Sequence, residues 1–94
     1  MDPVVHWHCV ASGQVQGVNY RARVAESARR RGLAGTVENR WDGTVFIDVQ
    51  GPEPEVQSFL DDIRGPRGMS HASSVERVAI RPVDPDLQGF DIVR

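Results

Sequence analysis

Lysine is missing altogether from these 94 residues: all eleven basic side chains are arginine. That removes Schiff-base chemistry on a lysine amine and any lysine clamp for phosphate, and a codon-composition bias is the simplest account of the gap. Cysteine is nearly as scarce. The single Cys9 excludes an internal disulfide, and no metal-ligand spacing surrounds it. No apolar run approaches the roughly 20 residues that a bilayer-crossing helix needs. Met1-Asp2-Pro3-Val4 has neither the charged nor the apolar part of a signal peptide. A cytoplasmic location away from membranes is therefore expected. The net charge of −2 lacks the basic excess that phosphate backbones select, so no nucleic-acid partner is expected.

What is present reads as an ordinary globular chain, 39% hydrophobic and 26% charged. The length suits a single domain over residues 1–94, expected to act as a monomer. A domain of this size buries only about 60–65% of its unfolded surface, which leaves little room for a second site.

Residues 4–12 alternate as a strand, with Val5, Trp7, Cys9 and Ala11 on one face and His6 and His8 on the other. Tyr20, Val24, Ala25 and Ala28 fall at helical spacing. The run Arg29-Arg30-Arg31-Gly32 suits a helix C-terminus, where cations offset the dipole and glycine takes the left-handed cap. Residues 33–40 and 44–50 form two strands around Trp41-Asp42-Gly43, a hairpin signal. Pro52 and Pro54 open a second helix, on which Val56, Phe59, Leu60 and Ile63 recur at i, i+3, i+4 and i+7. Gly65-Pro66 ends it, and residues 65–71 read as a loop. Val75, Val78 and Ile80 mark a fourth strand running to Pro82, Asp84-Pro85-Asp86 a turn, and Phe90 with Ile92 a short last strand. The class is α+β: a ferredoxin-like split βαβ sandwich (βαββαβ), mostly antiparallel, with two helices on one face.

Such a fold hosts many functions, so the site must carry the functional claim. Gly13-Gln14-Val15-Gln16-Gly17-Val18-Asn19-Tyr20-Arg21 places two glycines around a turn that runs directly into the first helix. A turn of this kind aims backbone N–H groups inward, and the helix start adds unpaired donors and the positive end of its dipole. Arg21 can make paired hydrogen bonds to phosphate oxygens. The absence of a Gly-Lys-Ser/Thr ending excludes a Walker loop. Alone, an arginine at a helix start is usually a solvated residue, and an asparagine beside a hairpin is usually a turn former.

A second block changes those odds: Gly32-Leu33-Ala34-Gly35-Thr36-Val37-Glu38-Asn39, followed by Asp42-Gly43-Thr44-Val45 and Gly51. With Gln16-Gly17-Val18-x-aromatic-Arg21, the Arg21-to-Asn39 spacing and the late Gly89-Phe90-Asp91-Ile92, the chain resembles the acylphosphatases from about Val4 onward. That resemblance implies hydrolysis of acyl phosphates to carboxylate and phosphate, without metal or other cofactor. It implies that Arg21 and the N–H groups of Val15, Gln16, Gly17, Val18, Asn19 and Tyr20 hold the phosphoryl group, and that Asn39 fixes the attacking water. The carboxylate leaving group departs without a proton donor, so positioning and charge stabilisation suffice.

The sequence departs from the family pattern at Gln14, where a basic residue is frequent, at Tyr20, where phenylalanine is commoner, at Thr36, where an aromatic is, and at Glu38, where arginine or lysine often precedes the asparagine. Strand alternation sets Glu38 on the face opposite Asn39. His6 and His8 lack an evident third ligand, so a solvated outer face is the expectation for them. The serines and His71 fit no hydrolase triad. Asp61-Asp62 belongs to a solvated helix face. The alternative function is a phosphate- or anion-sensing module on the same fold. An RNA-recognition motif lacks its aromatics here, since Phe46 stands alone in the third strand. A metal chaperone lacks its paired cysteines. A free-standing enzyme is expected rather than the similar domain of larger carbamoyl-transfer proteins.

Overall fold

Alternation along the first residues does produce a strand, β1 (Val4–Gln14), and it lies inside a six-stranded sheet. The computed structural model describes residues 2–94. After β1 come α1 (Tyr20–Arg30), β2 (Ala34–Asn39), β3 (Val45–Pro52), α2 (Glu53–Ile63), β4 (Gly65–Arg67), β5 (Ser70–Arg81) and β6 (Phe90–Val93). The sheet order is β4-β5-β1-β3-β2-β6, antiparallel except where β6 runs parallel to β2. This is the expected split βαβ plan.

One sheet face packs on the helices. Cys9, Ala11, Val37, Val45, Ile47 and Val49 join Val24, Ala28, Val56, Phe59 and Ile63 in a single buried cluster. The four apolar positions predicted for α2 are all buried there, and each large side chain contributes roughly 1.5–3 kcal/mol. Phe59 meets Phe90 edge-on at 5.9 Å, which ties α2 to β6. At the end of α1, Gly32 takes φ 69°, and the Leu33 N–H returns to the Ala28 carbonyl at 2.9 Å. Arg29 does more than offset the dipole, since its Nε donates to the Phe90 carbonyl at 2.8 Å.

Three expectations are corrected, and one buried residue is added. Residues 65–71 are not a plain loop: β4 pairs with the start of β5 across a turn at Gly68–Met69, with Gly65 and Gly68 both left-handed. Local sequence there has no alternation, and only the pairing of β5 with β1 as far as Gln14 extends the chain. His6 is 9% exposed rather than solvated, because its Nδ1 donates to the Pro82 carbonyl at 2.8 Å. Asp62 is not a free surface acid. It accepts from the Ser27 hydroxyl and from Arg30, and the Ser27 bond first, then Arg30, hold its carboxyl below the usual range. Arg23, absent from the sequence reading, is buried on the apolar side of α1. Its guanidinium donates to the Asp62, Arg64 and Gly65 carbonyls and to Ser70 Oγ, closing the otherwise open C-terminal carbonyls of α2.

Two buried acids give the fold an alkaline limit. Burial pushes the Cys9 thiol up to about 11. It also pushes the Tyr20 phenol, which donates to the Ile63 carbonyl at 2.9 Å, well above its ordinary range. Both folded values lie above the unfolded ones, about 8.5 and 10. The stability they contribute is therefore complete below about pH 8.5 and is lost as pH rises. With no lysine to titrate in that window, the urea-unfolding free energy should fall between about pH 9 and 11, and Tyr20→Phe with Cys9→Ala should flatten the fall. A wild-type curve level across that range would refute the account.

Candidate active site

The turn between β1 and α1 is pinned at both ends by the core. Val15 and Tyr20 are each 1% exposed, and Val18 packs against the same cluster. Between them Gly17 has φ 72° and Asn19 φ 62°. A Cβ on Gly17 would meet nothing within 4 Å, so the left-handed backbone alone calls for glycine there. Asparagine is one of the few other residues that tolerates this region. Left-handed residues on either side of Val18 turn successive N–H groups into a concavity suited to anions. Among the described residues, no backbone N–H from Gln16 to Ala22 takes a backbone acceptor.

Two depressions adjoin this turn. One, of about 310 Å³, is lined by Val15, Gly17, Asn19, Tyr20 and Arg21, and by Ile92 and Arg94 from the far edge. The other, of about 330 Å³, is lined by Arg21, Glu38, Asn39, Val93 and Arg94. Arg21 belongs to both. Its Nη1 donates to the Val93 carbonyl at 3.0 Å, which orients the guanidinium and leaves further N–H groups available. Asn39 ends β2 with its side chain exposed. The parallel pairing of β6 with β2 brings Val93 to Glu38, and hence beside Arg21 and Asn39. A larger depression of about 530 Å³ lies on the other side of the turn, walled by Arg67, Gly68 and Met69. Gly17, Val18 and Asn19 line it too, but it contains neither Arg21 nor Asn39.

The candidate residues divide into groups. Arg21 and Asn39 come together; Gly17, Asn19 and Tyr20 line the concavity beside Arg21. Val15 contributes no free donor, because its N–H bonds the Gly13 carbonyl at 3.0 Å. The Tyr20 hydroxyl points into the core. Gln16 does more than lend an N–H: its side-chain amide donates to the Arg40 and Thr44 carbonyls, both at 2.8 Å. Those carbonyls flank the β2–β3 turn, which Asp42 stiffens by accepting from the Thr44 N–H and hydroxyl, bonds that lower its pKa.

Glu38 stands opposite Phe46 in the β2–β3 register and lines a depression with Arg40 and Phe46, on the face opposite Asn39 as alternation requires. At the strand end it also forms part of the wall of the Arg21–Asn39 depression. Arg94 was missed, and no local signal marks it, since only the β2–β6 pairing carries that end of the chain to the site. Arg23 could have been found: it falls three residues after Tyr20 and four before Ser27, on the buried side of α1.

Residues 7–92 match the family model described as acylphosphatase. The sequence is 39% identical over 85 residues to an acylphosphatase of Azorhizobium caulinodans, covering 90% of each chain. It is 40% identical over 86 residues to one of Geobacillus thermodenitrificans, covering 92% of this chain and 90% of the relative. The crystal structure of acylphosphatase from Bacillus subtilis superposes with a TM-score of 0.87 at 32% identity, covering 96% of this chain and 99% of that one.

Two substitutions test this geometry. Gln16→Ala should loosen the turn and weaken inorganic phosphate binding about 10-fold with the melting curve little changed, the scale of two lost hydrogen bonds. Unaltered phosphate affinity would show that the amide bonds do not shape the site. Glu38→Gln removes an anion from the margin of the depression and should tighten phosphate about 2- to 5-fold at low salt, less at high salt.

Proposed function

This chain belongs to the acylphosphatase family, and from that membership we propose that Arg21 and the turn's N–H groups hold the phosphoryl group of the substrate while Asn39 aims the attacking water. The chain is an acylphosphatase, acting on small acyl phosphates. The observation that supports the residue roles is that Arg21 and Asn39 line one depression beside N–H groups without a backbone acceptor. The same reading takes residues 1–94 as one catalytic unit working as a cytoplasmic monomer.

The roles follow from what the reaction asks for. The phosphoryl group brings negative charge, and the Arg21 fork with the start of α1 offsets it. Charge shifts onto the equatorial oxygens in the transition state, where preorganised N–H donors stabilise it. The amide of Asn39 both donates and accepts, so it can hold a water in line with the P–O bond to the acyl group. The water oxygen bonds phosphorus, the P–O bond breaks with its electron pair leaving on the carboxylate, and the water's surplus proton is released from the new phosphate to solvent.

Hydrolysis of an aryl acyl phosphate in chelator, compared across wild type, Arg21→Ala and Asn39→Ala, tests this. Arg21→Ala should abolish phosphate binding and most turnover; Asn39→Ala should spare binding and depress kcat. Each rate loss should be on the order of 10²–10³. Full turnover in either variant would remove that residue from the mechanism.

A further inference from the structure

We propose that His6, His8 and Asp48 form a binding site for one divalent metal ion of the zinc class, on the sheet face away from the helices and separate from the phosphoryl site. His6 and His8 lie two residues apart on β1, so alternation sets both on one face. The third ligand comes from the neighbouring strand, because the β1–β3 register places Asp48 directly opposite His8. His6 Nε2 stands 2.5 Å from Asp48 Oδ1, and His8 Nε2 stands 3.3 Å from the same oxygen. One donor atom from each of the three residues falls within a 4.8 Å group.

The hydrogen bonding of His6 carries the argument further. Its Nδ1 faces the Pro82 carbonyl at 2.8 Å, and a carbonyl only accepts, so that nitrogen bears the proton. In the neutral ring Nε2 is then a lone-pair atom facing a carboxylate oxygen. Two acceptors meet, and a positive centre has to sit between them, either a second proton or a metal ion. An imidazole whose far N–H donates to a backbone carbonyl is the usual outer support of a metal-bound histidine. A tetrahedral zinc ion with bonds of about 2.0–2.2 Å holds its donors about 3.3 Å apart. The His8–Asp48 distance already meets that spacing, and the His6–Asp48 contact has to open by under about 1 Å.

The surroundings suit such a site. The three side chains are 10%, 27% and 19% exposed, which shields the ligands and leaves a fourth position open to water. Phe46 meets the His8 ring edge-on at 4.9 Å, and His6 does so at 5.7 Å, so the ring is held before any ion arrives. The cation opposite His6 on β5, Arg81, is exposed, where solvent screens it. A bound ion would join β1 to β3 and hold the Pro82 segment over them, so its effect is on stability.

The test uses chelator-treated protein with zinc, in competition with a chromophoric chelator, and with cobalt(II), whose visible bands report tetrahedral geometry. Wild type should take up one ion per chain and gain roughly 10–20 °C in Tm at a free zinc level a hundredfold above Kd. Asp48→Asn and His8→Gln should each weaken zinc by more than about 100-fold, beyond the loss typical of outer-shell partners. Arg21→Ala should bind zinc as wild type does. His8→Gln changes a partly exposed side chain, so retained circular dichroism in that variant separates ligand loss from unfolding. Wild type that binds zinc no tighter than about 100 μM, or equal affinity in folded His8→Gln and Asp48→Asn, would overturn the site.

Discussion

Val15 and Tyr20 are both buried in the core, and the four residues between them cross a gap with no backbone hydrogen bonds among themselves. A segment with that many open donors would ordinarily sample many shapes at a large entropic gain. Burial of its two ends removes most of that freedom, and the left-handed Gly17 and Asn19 limit what remains. The Gln16 amide completes the constraint by reaching the Arg40 and Thr44 carbonyls. Those carbonyls belong to the turn that follows Asn39, so one side chain orders the anion concavity and sets its distance from Asn39, the residue we propose to position the water. The donors are thus held ready for a ligand before it arrives, which is what electrostatic preorganisation requires.

The two faces of the sheet have different duties. Beneath the helices, the buried positions of β1, β2 and β3 are apolar, with Trp7 and Cys9 among the aliphatic side chains. On the other face, the chain after β5 covers part of β1 and β3 through polar contacts. Gln50 exchanges two hydrogen bonds with the Asp84 backbone, at 2.8 and 2.7 Å, and His6 bonds the Pro82 carbonyl. His6 is therefore buried against a backbone carbonyl, a carboxylate and the His8 ring. The helix face determines the fold, while the other face gathers titratable groups into a small space.

Legibility followed the range of the interaction that fixes each feature. The periodicity of Val56, Phe59, Leu60 and Ile63 marked α2 well, since a helix face depends on neighbours three and four residues apart. Asp42-Gly43 marked the hairpin for the same local reason, and Gly32 the end of α1. Arg21 and Asn39 became readable only as a pair, through the family resemblance, because each alone fits a bland local role. β4, the burial of His6 and the arrival of Arg94 beside Arg21 escaped notice. Each depends on a strand pairing whose partner lies far along the chain, and nothing local records it.

Sequence alone determined the order of the elements other than β4, the apolar faces of both helices, the left-handed Gly32 cap and the family, because all of these rest on spacing along one chain. Only the tertiary structure decided which side chains share a space. It set Asp48 against His8, carried Val93 and Arg94 to Arg21, engaged the Val15 N–H, and closed α2 with Arg23. Strand register settles such contacts, and a slip of one residue would send every side chain of a strand to its other face.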